Sequence, residues 1–346
     1  MEVHKGFYGY PCCPSWLPVV VGNCKEKSIS EIWNSKKYQK IRESILDGSF
    51  RFCDQKACPK IQGYQLEDVK KLKGRWKEIY ENKKTILGEF PEEIALCYDD
   101  SCNLSCPSCR SEKILDIRGK TYEEKDKFTN QIIELINTIQ NKNQNLLLRV
   151  TGSGDPFASP LYFKLLKEID GTKLPNLQII LQTNGLLLTP NNWEKILRIH
   201  NNIYTISISI DAATESTYSQ VRRLGSWSKL QNNLKFISSI VEKYQIPYFS
   251  LNFVVQKNNY FEMIDFVKMA EKIGNVTDVF FSFLNNWKTW PDEIYDKQCV
   301  WKRNHKEFIQ FIEILKDPIF DNSIVHLGNL SEYRKSALNE VQKKNW

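Results

Sequence analysis

Between about residues 92 and 284, short apolar runs alternate with stretches of helical period. Six runs, Glu93–Tyr98, Leu146–Thr151, Leu177–Gln182, Ile203–Ile210, Tyr248–Val255 and Asp278–Leu284, are rich in Ile, Val, Leu and Phe and show little two-residue alternation. That pattern predicts strands buried on both faces, as in parallel sheets. Between them, Phe128, Ile132, Ile133, Leu135, Ile136 and Ile139 fall on one helical stripe. Ser159-Pro160 and Thr189-Pro190 each read as an N-cap followed by proline at the first helical position, and residues 259–273 form another amphipathic run. Repeated strand–helix units predict a parallel sheet with right-handed crossovers. Six units are too few for a closed eightfold barrel, so the expected class is α/β, a partial (β/α)6 barrel. Ligands in such folds gather at the C-terminal ends of the strands.

Residues 1–85 break this rhythm. Gly22-Asn23 reads as a turn, and Ser28 and Glu31 have capping-box spacing ahead of a helix expected over 31–47. Five cysteines, Cys12, Cys13, Cys24, Cys53 and Cys58, lie in this segment. Three units are therefore expected: a small N-terminal Cys-rich hairpin-plus-helix domain (1–85), the barrel (86–290) and a C-terminal helical extension (291–346). The extension should hold a helix over 305–316 and an irregular tail near 327–330.

Composition narrows the function classes. Of 346 residues, 41% are hydrophobic and 12% aromatic, enough for a real core and unlike a disordered chain. The net charge is +7, but both signs are mixed throughout and no dense basic stripe is present, so no nucleic-acid partner is expected. No stretch approaches the roughly 18 apolar residues of a membrane span. The N-terminus lacks a charged segment followed by an apolar run, so no secretion signal is expected. Ten cysteines in such a chain point to reduced thiols, metal binding and a cytoplasmic location.

The densest chemistry is Cys102-Asn-Leu-Ser-Cys106-Pro-Ser-Cys109-Arg, directly after the first barrel strand. Iron–sulfur clusters are held by thiolates, usually four. A compact loop offering three leaves one iron free to bind something else. A structural zinc site would want a fourth Cys or His. The stretch closely resembles the signature loop of the radical S-adenosylmethionine (radical SAM) superfamily, whose core is an open, TIM-like partial (β/α)6 barrel. The resemblance implies a 4Fe-4S cluster whose open iron chelates the amino and carboxylate groups of SAM. Reductive cleavage would then yield a 5′-deoxyadenosyl radical that abstracts a substrate hydrogen.

Further motifs carry the same resemblance. Thr151-Gly152-Ser153-Gly154-Asp155-Pro156-Phe157 resembles the family's Gly-Gly-Glu motif, whose backbone and acid contact the SAM amino group. Glycines there allow close backbone approach to a ligand. Gln182-Thr183-Asn184-Gly185 matches a common family pattern, which implies SAM contacts by Thr183 and Asn184. In Ser207-Ile-Ser209-Ile-Asp211, the resemblance assigns Ser209 to the SAM ribose or carboxylate, and it assigns Arg222 to the carboxylate. Asp211 is either a ligand contact or a helix N-cap. Asn252 and Gln256 are polar positions in an apolar run, facing adenine, substrate or neighbouring loops.

The N-terminal cysteines resemble the SPASM or twitch auxiliary-cluster segment of radical SAM enzymes. There, a Cys-bearing hairpin leads to Gly-Asn, a helix with Glu-Ile-Trp-Asn-Ser, and a last cysteine group. In the family this segment follows the core; here it precedes it. The resemblance implies a second 4Fe-4S cluster, with Cys53 and Cys58 as the firmest ligands, then Cys13, and with Cys12 and Cys24 competing for the fourth place. Four cysteines around a hairpin also suit structural zinc.

Two cysteines remain. Cys299, just past the sixth strand, is the candidate hydrogen donor of an epimerase, and Cys97, on the first strand, reads as core. Trp287 and Trp290 can stack on a substrate at the barrel mouth or pin the tail. His305 reads as structural. The expected substrate is a carbohydrate-like or other polar small molecule that is oxidised or epimerised; a ribosomal-peptide maturase and a non-catalytic electron-transfer protein are the alternatives. A flavodoxin- or ferredoxin-like electron donor is the expected partner.

Overall fold

The protein is seen in a computed structural model that describes residues 1–56, 58–62, 66–88, 91–139 and 145–344. All six apolar runs form strands. In chain order the strands are β1 (Glu2–His4), β2 (Tyr8–Tyr10), β3 (Gly22–Asn23), β4 (Glu93–Cys97), β5 (Leu146–Val150), β6 (Leu177–Thr183), β7 (Ile203–Ser209), β8 (Tyr248–Val255), β9 (Asp278–Phe283) and β10 (Val325–His326). They lie in one sheet in the order β10-β9-β8-β7-β6-β5-β4-β1-β2-β3. From β4 to β9 every neighbouring pair is parallel and consecutive, which makes the partial (β/α)6 barrel. The crossovers carry helices at Lys120–Asn137, Pro160–Glu168, Pro190–Glu194, Glu215–Val221, Trp227–Tyr244 and Met263–Ile273. Ser159 and Thr189 cap two of them as expected, each hydroxyl accepting a backbone N–H of the first turn.

The sheet continues past both ends of the barrel. β1 pairs in parallel with β4, and β10 pairs in parallel with β9. β2 and β3 add an antiparallel hairpin beyond β1. The division expected near residue 85 is thus a change in sequence pattern, while the sheet runs across it. Strands of three and two residues carry no period that a sequence could display.

Side chains alternate across the sheet. Ile94, Leu96, Leu148, Val150, Ile179, Leu181, Ile206, Ile208, Leu251 and Phe253 all join the helix-side core with Phe128, Ile132 and Ile136. The intervening positions face the inside of the barrel and are more polar: Glu93, Cys97, Arg149, Gln178, Gln182, Ser207, Ser209, Ser250, Asn252 and Asp278. Burial therefore alternates along β5, β6 and β8 more than their apolar content announces, because an open barrel leaves its inner face partly uncovered.

The helix expected over 31–47 is two helices, Ile29–Trp33 and Lys36–Leu46. The Ser28–Glu31 capping box opens the first. Ser35 caps the second by accepting from the Tyr38 N–H. Asn34 sits at the break, where its side chain accepts from the Leu87 N–H at 3.0 Å and donates to the Leu87 carbonyl at 3.1 Å. In the extension the helix spans Phe308–Ile314, and the tail continues into a further helix at Ser331–Lys344. Arg334 pins that helix by donating to the Leu315 and Asp317 carbonyls. Among the described residues no helix is long and apolar enough to cross a membrane.

Candidate active site at the strand ends

The three-cysteine loop leaves β4 through a buried anchor. Asp99 accepts from Lys125 Nζ at 2.9 Å and from Ser159 Oγ at 2.5 Å, fixing the strand end against two helices. Cys102 N–H donates to the Ile114 carbonyl and Ser105 N–H to the Arg223 carbonyl. The Cys106 carbonyl accepts from the N–H groups of Cys109 and Arg110, closing a single turn. Cys102 and Cys106 are buried and Cys109 is exposed.

The loop forms one wall of a cleft of about 140 Å³. Gly152, Ser153, Gly154 and Asp155 form a second wall, with Thr183, Asn184, Ser209 and Arg222 completing it. Eight of the ten positions named as SAM contacts from the sequence thus meet the three cysteines at one cleft. Asp211 and Asn252 stand outside it. Asp211 lies behind Arg222, which it pairs with at 2.7 Å, and it also accepts from the Val254 N–H at 2.8 Å. It is not a helix N-cap, since Thr214 caps Glu215–Val221. Asn252 donates to Ser207 Oγ at 2.6 Å, on the inner face below.

Asp155 is buried and both its oxygens are engaged. One accepts from Thr183 Oγ1 (2.6 Å) and Asn184 N–H (2.9 Å), the other from Phe157 and Ala158 N–H. Burial raises its pKa, and these four donors oppose the rise. Its work here is to tie the loop after β5 to the end of β6. The glycines likewise serve packing. A β-carbon on Gly154 would stand 2.6 Å from the Ser101 carbonyl oxygen and 2.7 Å from that of Asp99.

The cleft fits an iron–sulfur cluster on its own chemistry. Three thiols open on it, and two guanidiniums flank them: Arg110 at 3.4 Å from Cys109 Sγ and Arg222 at 3.7 Å from Cys106 Sγ. These charges offset the negative charge of thiolates. Burial pushes Cys102 up to about 11 and raises Cys106. Arg222 Nε and Tyr218 Oη are buried beside Cys106 without a hydrogen-bond partner. Arg110, which also donates to the Ser153 carbonyl at 2.6 Å, had no role assigned from sequence; its only signal was adjacency to Cys109.

The N-terminal cysteines separate into four and one. Asp54 N–H donates to the Trp16 carbonyl at 2.7 Å, joining the Cys53 segment to the turn that follows Cys13. Cys12 and Cys58 act electrostatically on Cys53, and Cys12 acts on Cys13. Cys24 packs in the apolar core, where burial alone pushes it up to about 12. Cys299 is fully buried, donates its thiol to the Tyr295 carbonyl at 3.2 Å, and is not among the residues lining the cleft. His305 bonds the Lys297 carbonyl and the Glu307 N–H. Trp287 is exposed and Trp290 half-buried. Gln256 is buried with its side-chain nitrogen unpartnered.

Comparison with known proteins adds kinship to this geometry. Residues 8–60 match the SPASM family, an iron–sulfur cluster-binding domain. The AdoMet-dependent heme synthase of Methanosarcina barkeri is 28% identical over 194 residues, 55% of this chain and 50% of the relative. The GTP 3′,8-cyclase of Clostridium perfringens is 25% identical over 158 residues, 43% of this chain and 46% of that protein. The chain spans about half the length of the curated relatives it matches. HydG, a maturase of the FeFe-hydrogenase, aligns over 77% of this chain and 58% of its own at 16% identity with a TM-score of 0.35, a value at which the strand order above, and not the neighbour, defines the fold. These findings support a radical SAM enzyme with a SPASM segment, which here lies ahead of the barrel.

Proposed function

We propose that this chain uses SAM at a cluster held by Cys102, Cys106 and Cys109 to abstract hydrogen from a polar, carbohydrate-like small molecule, which it oxidises or epimerises. The observation that carries the substrate class is the inner face of the barrel. Ser207 pairs with Asn252 at 2.6 Å, Ser250 with Asp278 at 2.6 Å and Arg149 with Glu93 at 3.0 Å, below the cysteine cleft. A ligand rich in hydroxyl groups can join these pairs through their remaining lone pairs and protons.

When bound, the cluster and SAM supply one electron and the hydrogen-abstracting radical. The chain's residues bind and orient. Arg222, held by Asp211, presents a guanidinium suited to a carboxylate. Asp155 holds Thr183 and Asn184 in place, and Asn184 Nδ2 reaches Asn103 Oδ1 at 2.9 Å beside Cys102. Trp287 and Trp290, after β9, supply stacking surface for a sugar ring. In the oxidative branch the SPASM segment would hold the cluster that accepts the second electron, while the hydroxyl proton of the substrate radical leaves to solvent. The epimerising branch needs a hydrogen donor at the cleft, which Cys299, fully buried on the Tyr295 carbonyl, does not line. The electron donor is flavodoxin- or ferredoxin-like, in a reducing cytoplasm.

The test is anaerobic turnover of reconstituted protein with SAM, a reductant and carbohydrates deuterated on ring carbons, read as the mass of 5′-deoxyadenosine. Deuterium in that product supports the proposal. Deuterium arriving only from a labelled peptide moves the assignment to peptide maturation. Iron-loaded protein that never cleaves SAM leaves the electron-transfer reading.

A further inference from the structure

β1 brings metal-ligating side chains together between the two cysteine sets, near Cys13 on one side and the Gly152 loop on the other. Its parallel register with β4 sets Val3 opposite Leu96 and His4 opposite Cys97. Val3 and Leu96 are fully buried in the helix-side core, so Glu2, His4 and Cys97 turn to the inside of the barrel. A Glu2 carboxylate oxygen, a His4 ring nitrogen and the Cys97 sulfur all lie within 4.8 Å of one another. His4 Nε2 and Glu2 Oε2 are 2.8 Å apart. Among the described residues, no other trio of His, Cys, Asp or Glu gathers so closely.

Those distances suit one ion. Zinc-class bonds of about 2.0–2.3 Å in tetrahedral geometry put donors roughly 3.3–3.8 Å apart, within reach of small side-chain rotations. The plain alternative is a His4–Glu2 ion pair beside an inert cysteine. Cys97, however, is buried with Glu2, Arg149 and Asp100 as its charged neighbours. Glu2 and His4 are half-buried, so solvent reaches part of the trio.

We propose that Glu2, His4 and Cys97 bind one divalent ion of the zinc class, with its fourth coordination position open to the barrel interior. Three N, O and S ligands with one open place is the arrangement of reactive rather than structural zinc. Because Cys97 lies against Gly152, the ion would stand next to the loop that lines the SAM cleft. The ion site goes beyond the function proposed above and does not depend on it.

The experiment titrates Co2+ alone into anaerobic protein already loaded with its clusters. The expected result is one bound cobalt with tetrahedral visible bands and a thiolate-to-cobalt charge-transfer band, at unchanged iron content. Cys97→Ser should remove the charge-transfer band, and His4→Ala and Glu2→Gln should weaken binding by more than about tenfold. His4→Ala and Glu2→Gln alter half-buried positions and decide the matter if Cys97→Ser does not fold. No cobalt bound, or binding that survives all three substitutions, overturns the proposal. So does a loss of iron in Cys97→Ser, which would make Cys97 a cluster ligand.

Discussion

Gly152 lies directly on the Cys97 sulfur, and a β-carbon at position 152 would overlap it. The contact joins the loop after β5 to the end of β4. Ser153 Oγ reinforces it by donating to the Cys97 and Asp99 carbonyls, each at 3.1 Å. The loop that lines the cofactor cleft is therefore seated on the strand that delivers the three cysteines.

Gly152→Ala should destabilise the protein by about 1–3 kcal/mol, the usual cost of overpacking. Cys97→Ala removes the sulfur and should restore most of that loss in the double variant. Gly154→Ala meets backbone carbonyls and should not be rescued. Denaturant unfolding of the three single variants and the double variant checks this; an unrescued double variant contradicts the contact.

Arg222→Gln should cost about 3–5 kcal/mol, because it strands the buried Asp211 carboxylate. Asp211→Asn combined with Arg222→Gln should lose less than the two single changes summed. Equality of the double loss with the sum, again from denaturant unfolding, would mean that the pair is not coupled.

Cys24→Ala should keep about eight irons per reconstituted chain, and Cys53→Ala should keep about four. The difference follows from the electrostatic coupling of Cys53 to Cys12 and Cys58, in which Cys24 takes no part. Iron and sulfide analysis reads it directly. Four irons in Cys24→Ala would return that residue to the ligand set.

His200 should make stability fall in acid. It is buried, stacks on Trp193 at 4.1 Å and bonds the Trp193 carbonyl at 2.9 Å. Burial lowers its pKa below the ordinary value of 6.5. The unfolded chain then takes up a proton before the folded one does as pH falls. The contribution is complete above about pH 6.5 and is lost as pH drops toward the folded value. His200→Gln should flatten the melting temperature across that window; a curve parallel to the unsubstituted protein's would refute the assignment.

The six barrel strands, the caps at Ser28, Ser159 and Thr189, and the three-cysteine loop are legible in the chain alone. Each is written in contiguous residues: an apolar run, a cap spacing, thiols close enough to share one cluster. The chain also names eight residues that meet those cysteines at the cleft, because loops that follow parallel strands end on the same side. The rest depends on how distant segments pack. β1 and β10 are too short to signal themselves and exist because β4 and β9 offer open edges. Asp155 binds Thr183 and Asn184 within the fold, and Asp211 holds Arg222, through approaches that local spacing does not encode. Cys24 packs among apolar side chains, and Cys97 stands within 4.8 Å of Glu2 and His4 ligand atoms. Those last placements depend on which strand pairs with which, across more than ninety residues, and no local pattern carries that register.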